Sequence, residues 1–325
     1  MLVLNQQQVK KIIPLDKINV VINSVENAFG DYGKNLVQMP CKQYLYFSEY
    51  NGDLRIMPSY SSVLKMAGTK IVNVHPDNPK KGLPTVMASI ILNDPKNGLP
   101  LAIMDGSYIT AMRTGSAGAV AAKYLAREDA KTLGVVGAGV QAMYQIMASV
   151  KVRKIKEIII ADVNAKAVQN LINVLAKQNI KARTGSTEEA CGQDIVATTT
   201  PSRQPIIKRE WIKPGTHINA IGADAEGKEE LDPEILKSAK IVIDDWDQAS
   251  HSGEINVPLK QGIITKENIY AGLGDIVAAK KPGRTSNQEI TVFDSTGLGL
   301  QDLYTAVAVL KIARRQKIGK EIELI

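Results

Sequence analysis

From about residue 115 to 297 the chain alternates short, β-branched apolar runs with helical stretches. TLGVV (132–136) leads into a helix predicted from Val140, and EIIIAD (157–162) leads into AKAVQNLINVLAKQ (165–178). DIVATTT (194–200), THINAIG (216–222), KIVIDD (240–245) and ITVFD (290–294) continue the series. Continuous apolar runs fit strands buried on both faces, and strands alternating with helices fit a parallel sheet covered on both sides. Up to about residue 110 the texture differs. A helix is predicted over Leu15–Gly33, and the strand-like pieces QYLYFSE, DLRIMP, GTKIVNVHP, TVMASIILND and LPLAIMD follow, punctuated by Gly and Pro. That pattern predicts an α+β unit with a mostly antiparallel sheet. A last stretch, Gly299–Arg315, carries Leu300, Leu303, Val307, Leu310 and Ile312 at near-helical spacing, so a helix there is expected to pack back on the first unit. The expected organisation is therefore one domain of residues 1–112 with 299–325 and a doubly wound α/β domain of residues 113–298.

Composition changes this picture little. Hydrophobic residues make up 44% of the 325 and charged residues 22%, fractions that exclude a disordered or fibrous chain. The net charge of +7 would suit nucleic acid only if clustered on one face. The clearest basic run, Lys311, Arg314, Arg315, Lys317 and Lys320, reads as a solvated helix face, so no nucleic-acid partner is expected. The two cysteines, Cys41 and Cys191, form no framework, which favours a reducing compartment. MLVLNQQQVKKIIPL lacks the features of a signal peptide, and no apolar run approaches the roughly 20 residues a membrane span requires. A cytoplasmic protein without a membrane partner is expected. His75, His217 and His251 sit at no zinc-ligand spacing, so no metal is expected either.

The strongest motif is LGVVGAGVQA (133–142), which closes a strand and opens a helix. Gly137, Gly139 and Ala142 make a G-x-G-x-x-A pattern: a tight turn, a close approach for a pyrophosphate, and close helix packing. The new helix N-terminus offers free N–H groups to phosphates. The next strand ends in Asp162, where a carboxylate suits the ribose hydroxyls of NAD and repels the 2′-phosphate of NADP. Lys166 offsets that repulsion only in part. NAD is the expected cofactor, and Asp162 as a simple helix cap is the plain alternative.

Single residues carry further chemistry. Lys70 lies inside an apolar strand, where burial lowers an amine's pKa toward the range of proton exchange, unless its stem snorkels to solvent. Asp224 follows THINAIG at a strand's carboxyl end, where ligands of open α/β sheets bind; a turn or cap role is the alternative. Arg113 and Thr114 are read as the start of a helix over 114–126, placed for a carboxylate or phosphate or for a plain ion pair. Lys42 and Arg55 fall on candidate neighbouring strands, as ligands or as surface charges. His75, before a proline, reads as a structural turn residue.

Together AGTKIVNVHPDNP (67–79), MRTGSAGAVAAKYLA (112–126), GAGVQA (137–142), IGADAEGKEEL (221–231) and FDSTGLGLQD (293–302) resemble the ornithine cyclodeaminase/μ-crystallin family over nearly the whole chain. The resemblance implies a Rossmann NAD-binding domain and an α+β substrate-binding domain that also makes a homodimer interface. It implies hydride transfer at the α-carbon of an amino acid or its imine. Lys70 would act on the substrate's keto or imine centre, and Asp224 would be the general acid/base. Arg113 would meet substrate and cofactor phosphate, Thr114 the phosphate, and Lys42 the substrate carboxylate. Lys228 and Ser295 would meet the nicotinamide end. Val140, Gln141, Val163, Asn164, Gly222 and Ala223 are counted with the cofactor contacts.

One position departs from the cyclodeaminase pattern. Cyclodeaminases carry an acidic residue in the segment matching DLRIMP, where it meets ornithine's distal amine, whereas this chain has Arg55. A cation there would repel that amine and strengthen the grip on a carboxylate. The expectation is NAD-dependent oxidative deamination of L-alanine to pyruvate and ammonia, as in the archaeal-type alanine dehydrogenases of the family. The alternatives are reduction of a ketimine such as pyrroline-2-carboxylate, ornithine cyclodeamination, and a μ-crystallin-like binding role without turnover.

Overall fold

Strand pairing in the computed structural model, which describes residues 1–324, sorts the chain into two units: Met1–Arg113 with the chain from Leu298 onward, and Thr114–Gly297. The division falls within one helix, Ser107–Leu125.

The first unit is built on an eight-stranded sheet in the order Lys320–Glu321, Leu2–Leu4, Pro100–Asp105, Val86–Asn93, Met66–Val74, Gly52–Ser61 and Val37–Gln38, with Gln43–Phe47 also paired to Gly52–Ser61. Every pairing is antiparallel except Leu2–Leu4 with Pro100–Asp105. Alternate positions of Gly52–Ser61 are buried, as the period of two in a strand requires. Helices Ile18–Gly33 and Gly299–Gln316 pack on one another, and Gly299–Gln316 lies against the strands Gly52–Ser61 and Met66–Val74. The predicted final helix is thus present and packs on this unit. The first residues form a strand and then a helix, Gln6–Ile12, opened by a capping box between Asn5 and Gln8.

The second unit holds a wholly parallel sheet in the order Arg183–Thr184, Glu157–Ala161, Thr132–Val136, Ile195–Thr198, His217–Ala220, Thr291–Asp294, Lys240–Ile243 and Ile269–Gly272. Strand order reverses between Thr132–Val136 and Ile195–Thr198. That switch point opens a crevice at the carboxyl ends of the strands. The fold is therefore mixed α/β, with a doubly wound sheet in one unit and an α+β arrangement in the other. His217, in a central strand, is a structural residue: burial pulls its pKa down to about 3, and its ring nitrogens meet Thr291 Oγ1 at 2.9 Å and Asn219 Oδ1 at 3.0 Å.

Among the described residues no helix is long and apolar enough to cross a membrane, and no group of three or more His, Cys, Asp or Glu side chains is arranged to hold a metal ion.

Candidate active site

In the first unit the sheet register collects cations on one buried face. Met57 pairs with Lys70 and Arg55 with Val72 across the central strands, so Arg55 and Lys70 are diagonal neighbours on that face. Tyr44 pairs with Arg55 on the other side. Lys70 is 1% exposed, which removes the snorkelling alternative. Its ammonium meets Asp302 Oδ2 at 2.7 Å, and Arg113 Nε donates to Asp302 Oδ1 at 3.0 Å. Arg113 NH1 donates to Gln301 Oε1 at 2.8 Å, while Gln301 Nε2 is buried with no hydrogen-bond partner among the described residues. Burial is the largest influence on Lys70 and lowers its pKa to about 7; the Arg113 and Lys42 cations push the same way, and Asp302 opposes them. An amine balanced near neutrality can give or take a proton at cellular pH.

Arg55 is buried and fixed from two sides. Nε and NH2 donate to the two oxygens of Asp53 at 2.8 and 3.1 Å, and the guanidinium lies over the Tyr44 ring. Both Asp53 oxygens are thereby engaged by Arg55, so Asp53 does not stand as a lone partner for a substrate amine. Lys70 and Arg113 share the Asp302 carboxylate, and Lys42 is near enough to act on Lys70 as a further cation. His75 stacks on Phe47, with ring centroids 6.2 Å apart, and its backbone N–H donates to Thr85 O, as a turn residue would.

One expectation needs correction. Arg113 and Thr114 do not begin a helix. The helix starts at Ser107, where Asp105 caps it by accepting from Tyr108 N at 2.9 Å, and Arg113 lies further along its length. The N-terminal dipole therefore does not act at Arg113; its side chain works through Asp302 and Gln301 instead. Thr114 is buried, and its carbonyl accepts from Gln145 Nε2.

In the second unit the strand Thr132–Val136 runs into Gly137 at φ +98°, a conformation that side-chain-bearing residues rarely adopt. Gly139 opens helix Val140–Val152 with no side-chain cap, and open space lies where its Cβ would stand. Uncapped amides beside a vacant Cβ position fit a pyrophosphate. Gln141 Oε1 and Ser295 Oγ, both buried, have no hydrogen-bond partner among the described residues, which suits a site finished by a ligand. Val140 and Val163 are exposed beside the turn. Asp162 is no helix cap: Asn164 caps the next helix by accepting from Ala167 N. The Asp162 carboxylate instead accepts from Ala138 N at 2.6 Å, inside the glycine turn, and from Asn164 N at 2.8 Å. It therefore shapes the turn while standing at the strand end.

Asp224 lies in the loop after His217–Ala220, partly exposed, and Lys228 Nζ donates to its Oδ1 at 2.5 Å. Lys228 thus meets the expected acid/base. Asn256 holds the far side of this loop through Gly227 N and Lys228 O. Ala223 is buried, and the Gly222 amide donates to Glu230 Oε2 at 3.0 Å. Asp244 fixes the Ser295 loop by accepting from Thr296 N and Gly297 N at 2.7 and 2.8 Å.

The model of the ornithine cyclodeaminase/mu-crystallin family matches residues 2–317. The chain belongs to that family. It is 48% identical to an alanine dehydrogenase of Archaeoglobus fulgidus over 322 residues, 99% of this chain and 98% of that protein. Among solved structures, an archaeal alanine dehydrogenase dimer with bound NAD superposes with a TM-score of 0.96 at 47% identity, covering 100% and 99% of the two chains. A Thermococcus litoralis Δ1-pyrroline-2-carboxylate reductase in complex with NADH and L-proline gives 0.95 at 39% identity, covering 99% and 100%.

Within this member of the family, sequence reasoning passed over Asp302, Gln301, Asp53 and Glu230. Asp302 had a readable signal. It shares a helical stripe with Ala306, Val309 and Ala313, all buried, and a carboxylate on an apolar stripe demands a buried partner.

Proposed function

We propose that the chain is an NAD-dependent dehydrogenase that oxidatively deaminates L-alanine to pyruvate and ammonia, reversibly, and works as a homodimer. The observation that carries this reading is the buried Lys70–Asp302–Arg113 cluster, with Lys70 brought to about 7 by burial and by its neighbouring cations. The 48% identity to an alanine dehydrogenase favours alanine among the family's substrates. The exposed Leu45 and Tyr46 of the first unit offer apolar surface to a second copy.

In this reading the substrate carboxylate is held by the cations of the first unit, Lys42, Arg55 and Arg113. The dinucleotide is held by the Gly137–Gly139 turn, the helix amides from Val140, and Asp162. When bound, NAD supplies the hydride acceptor for the α-carbon. Asp224 takes a proton from the water that adds to the resulting iminium carbon, and Lys228 keeps that carboxylate oriented. Lys70 exchanges the proton at the α-substituent as ammonia leaves. In reverse, the same groups protonate the keto oxygen and release water.

The test is a substrate panel read as NADH absorbance: pyruvate with ammonium, pyrroline-2-carboxylate, and ornithine with NAD. Fastest turnover with pyruvate plus ammonium is expected. Turnover confined to pyrroline-2-carboxylate would replace the reading by a ketimine reductase, and no turnover at all by a binding protein.

Cofactor choice gives a second test. NADH should be preferred to NADPH, because Asp162 can accept from ribose hydroxyls and would face a 2′-phosphate with like charge. In Asp162→Ser, one lost contact and one relieved repulsion, each about 1–2 kcal/mol, should move the ratio of kcat/KM for the two cofactors by about 10²-fold toward NADPH. A ratio that stays put would leave Asp162 as a brace of the glycine turn alone.

A further inference from the structure

We infer that Glu230 is a positioning residue that couples the dinucleotide turn to the Asp224 loop through a single buried carboxylate. Glu230 is fully buried, and each of its two oxygens accepts one backbone N–H and one hydroxyl. Oε1 takes Thr200 N at 2.7 Å and Thr200 Oγ1 at 2.8 Å. Oε2 takes Gly222 N at 3.0 Å and Thr198 Oγ1 at 2.6 Å. The donors come from the ends of two adjacent parallel strands, Ile195–Thr198 and His217–Ala220, on the edge where ligands of such sheets bind.

The contacts continue in both directions from this carboxylate. Toward the cofactor turn, Thr199 N and Oγ1 donate to Val136 O and Gly137 O at 2.9 and 3.0 Å. Toward the acid/base, Gly222 stands two residues before Asp224. A Cβ on Gly222 would lie 2.2 Å from Thr200 O and 2.6 Å from Glu230 Oε2, so the loop must carry glycine there to reach the carboxylate. Glu230 is itself anchored from behind: Glu254 Oε1 accepts from Glu230 N at 2.9 Å and from Leu231 N at 2.6 Å. The geometry fixes the side chain's chemistry. Because each oxygen meets an obligate backbone donor, an amide in either orientation would turn an NH2 group toward an N–H. Glutamine therefore cannot replace Glu230 despite its equal size. Burial pushes the Glu230 carboxyl above the usual range, and the four donors pull against that.

The inference rests on the proposed role of Asp224, so its test includes readouts that need no turnover. Amide exchange of Thr200 and Gly222, NADH binding by fluorescence, and kcat and KM are measured in wild type and Glu230→Gln, well below the melting temperature of the variant. The expected result is faster exchange at both amides and weaker NADH binding. A drop in kcat on the order of 10²-fold is also expected, the scale set by a misplaced catalytic group, with a smaller change in KM. Thr200→Val removes only one hydroxyl donor and serves if Glu230→Gln does not fold. It should show the same direction at Gly222 with a smaller loss of kcat and an intact fold. Exchange and NADH affinity unchanged in a folded variant would overturn the coupling, even in an active enzyme. Changes in both would support it even in a chain that turns over no alanine.

Discussion

Replacing Lys70 by methionine should lower kcat by about 10²–10⁴-fold, the usual worth of a positioned acid/base, while NADH binding stays near wild type. The amine is packed against Asp302 in the first unit, and in the proposed reading it acts on the substrate while the Gly137–Gly139 turn holds the dinucleotide. Stability should fall, although methionine fills a similar volume: removing one member of a buried ion pair leaves the other charge short of a partner and typically costs about 3–5 kcal/mol. Asp302 keeps Arg113 as a partner at 3.0 Å, which limits the cost of the carboxylate left behind. The measurements are kcat with pyruvate and ammonium, NADH fluorescence, and a melting curve. A variant with near-normal turnover would remove Lys70 from the mechanism. A variant that is inactive only because it has unfolded would show it in the melting curve and in lost NADH binding.

The parts of the molecule that sequence reasoning reached share one property: their signal is local. Strands buried on both faces announce themselves as apolar runs, and all six runs named from residue 132 onward are strands of the parallel sheet. The glycine turn is legible because one strand, one turn and one helix lie within a few residues of each other. Contacts between distant segments left weaker traces. Helix Ser107–Leu125 is buried on nearly every side, so no apolar stripe marks its beginning, and the MRTGS segment inside it was taken for a start. The strands Leu2–Leu4 and Lys320–Glu321 pair with each other from opposite ends of the chain and are too short to show a period. Asp162 was read as an acid at a strand end, but its bond to Ala138 N follows only from the path of the glycine turn. Lys70 was legible as a buried amine. That its charge is balanced by Asp302 depends on a helix more than two hundred residues away.

That balance is what Asp302→Asn should disturb. Two neighbouring cations and burial lower the pKa of Lys70, and Asp302 is the group that holds it up to about 7. Removing the carboxylate's charge must therefore move the Lys70 pKa further down, since an opposite charge within about 4–6 Å is worth about 1–3 units. The sign for activity follows from the direction of the reaction. Deamination of alanine needs Lys70 neutral to receive a proton, so kcat in that direction should rise as pH passes through its pKa near 7 in wild type. In the variant that rise should move to lower pH. In the reductive direction Lys70 must carry its proton, and kcat should fall at a lower pH than in wild type. The asparagine also loses one charged partner of Arg113, so the maximum rate should drop as well, on the order of 10²-fold if the amine is misplaced. A purely structural Asp302 predicts something different: a lower melting temperature and a lower rate, with a pH profile of unchanged position. The profile of kcat in both directions separates the two. A limb that stays near 7 in the variant would mean that Asp302 shapes the cluster without tuning the amine.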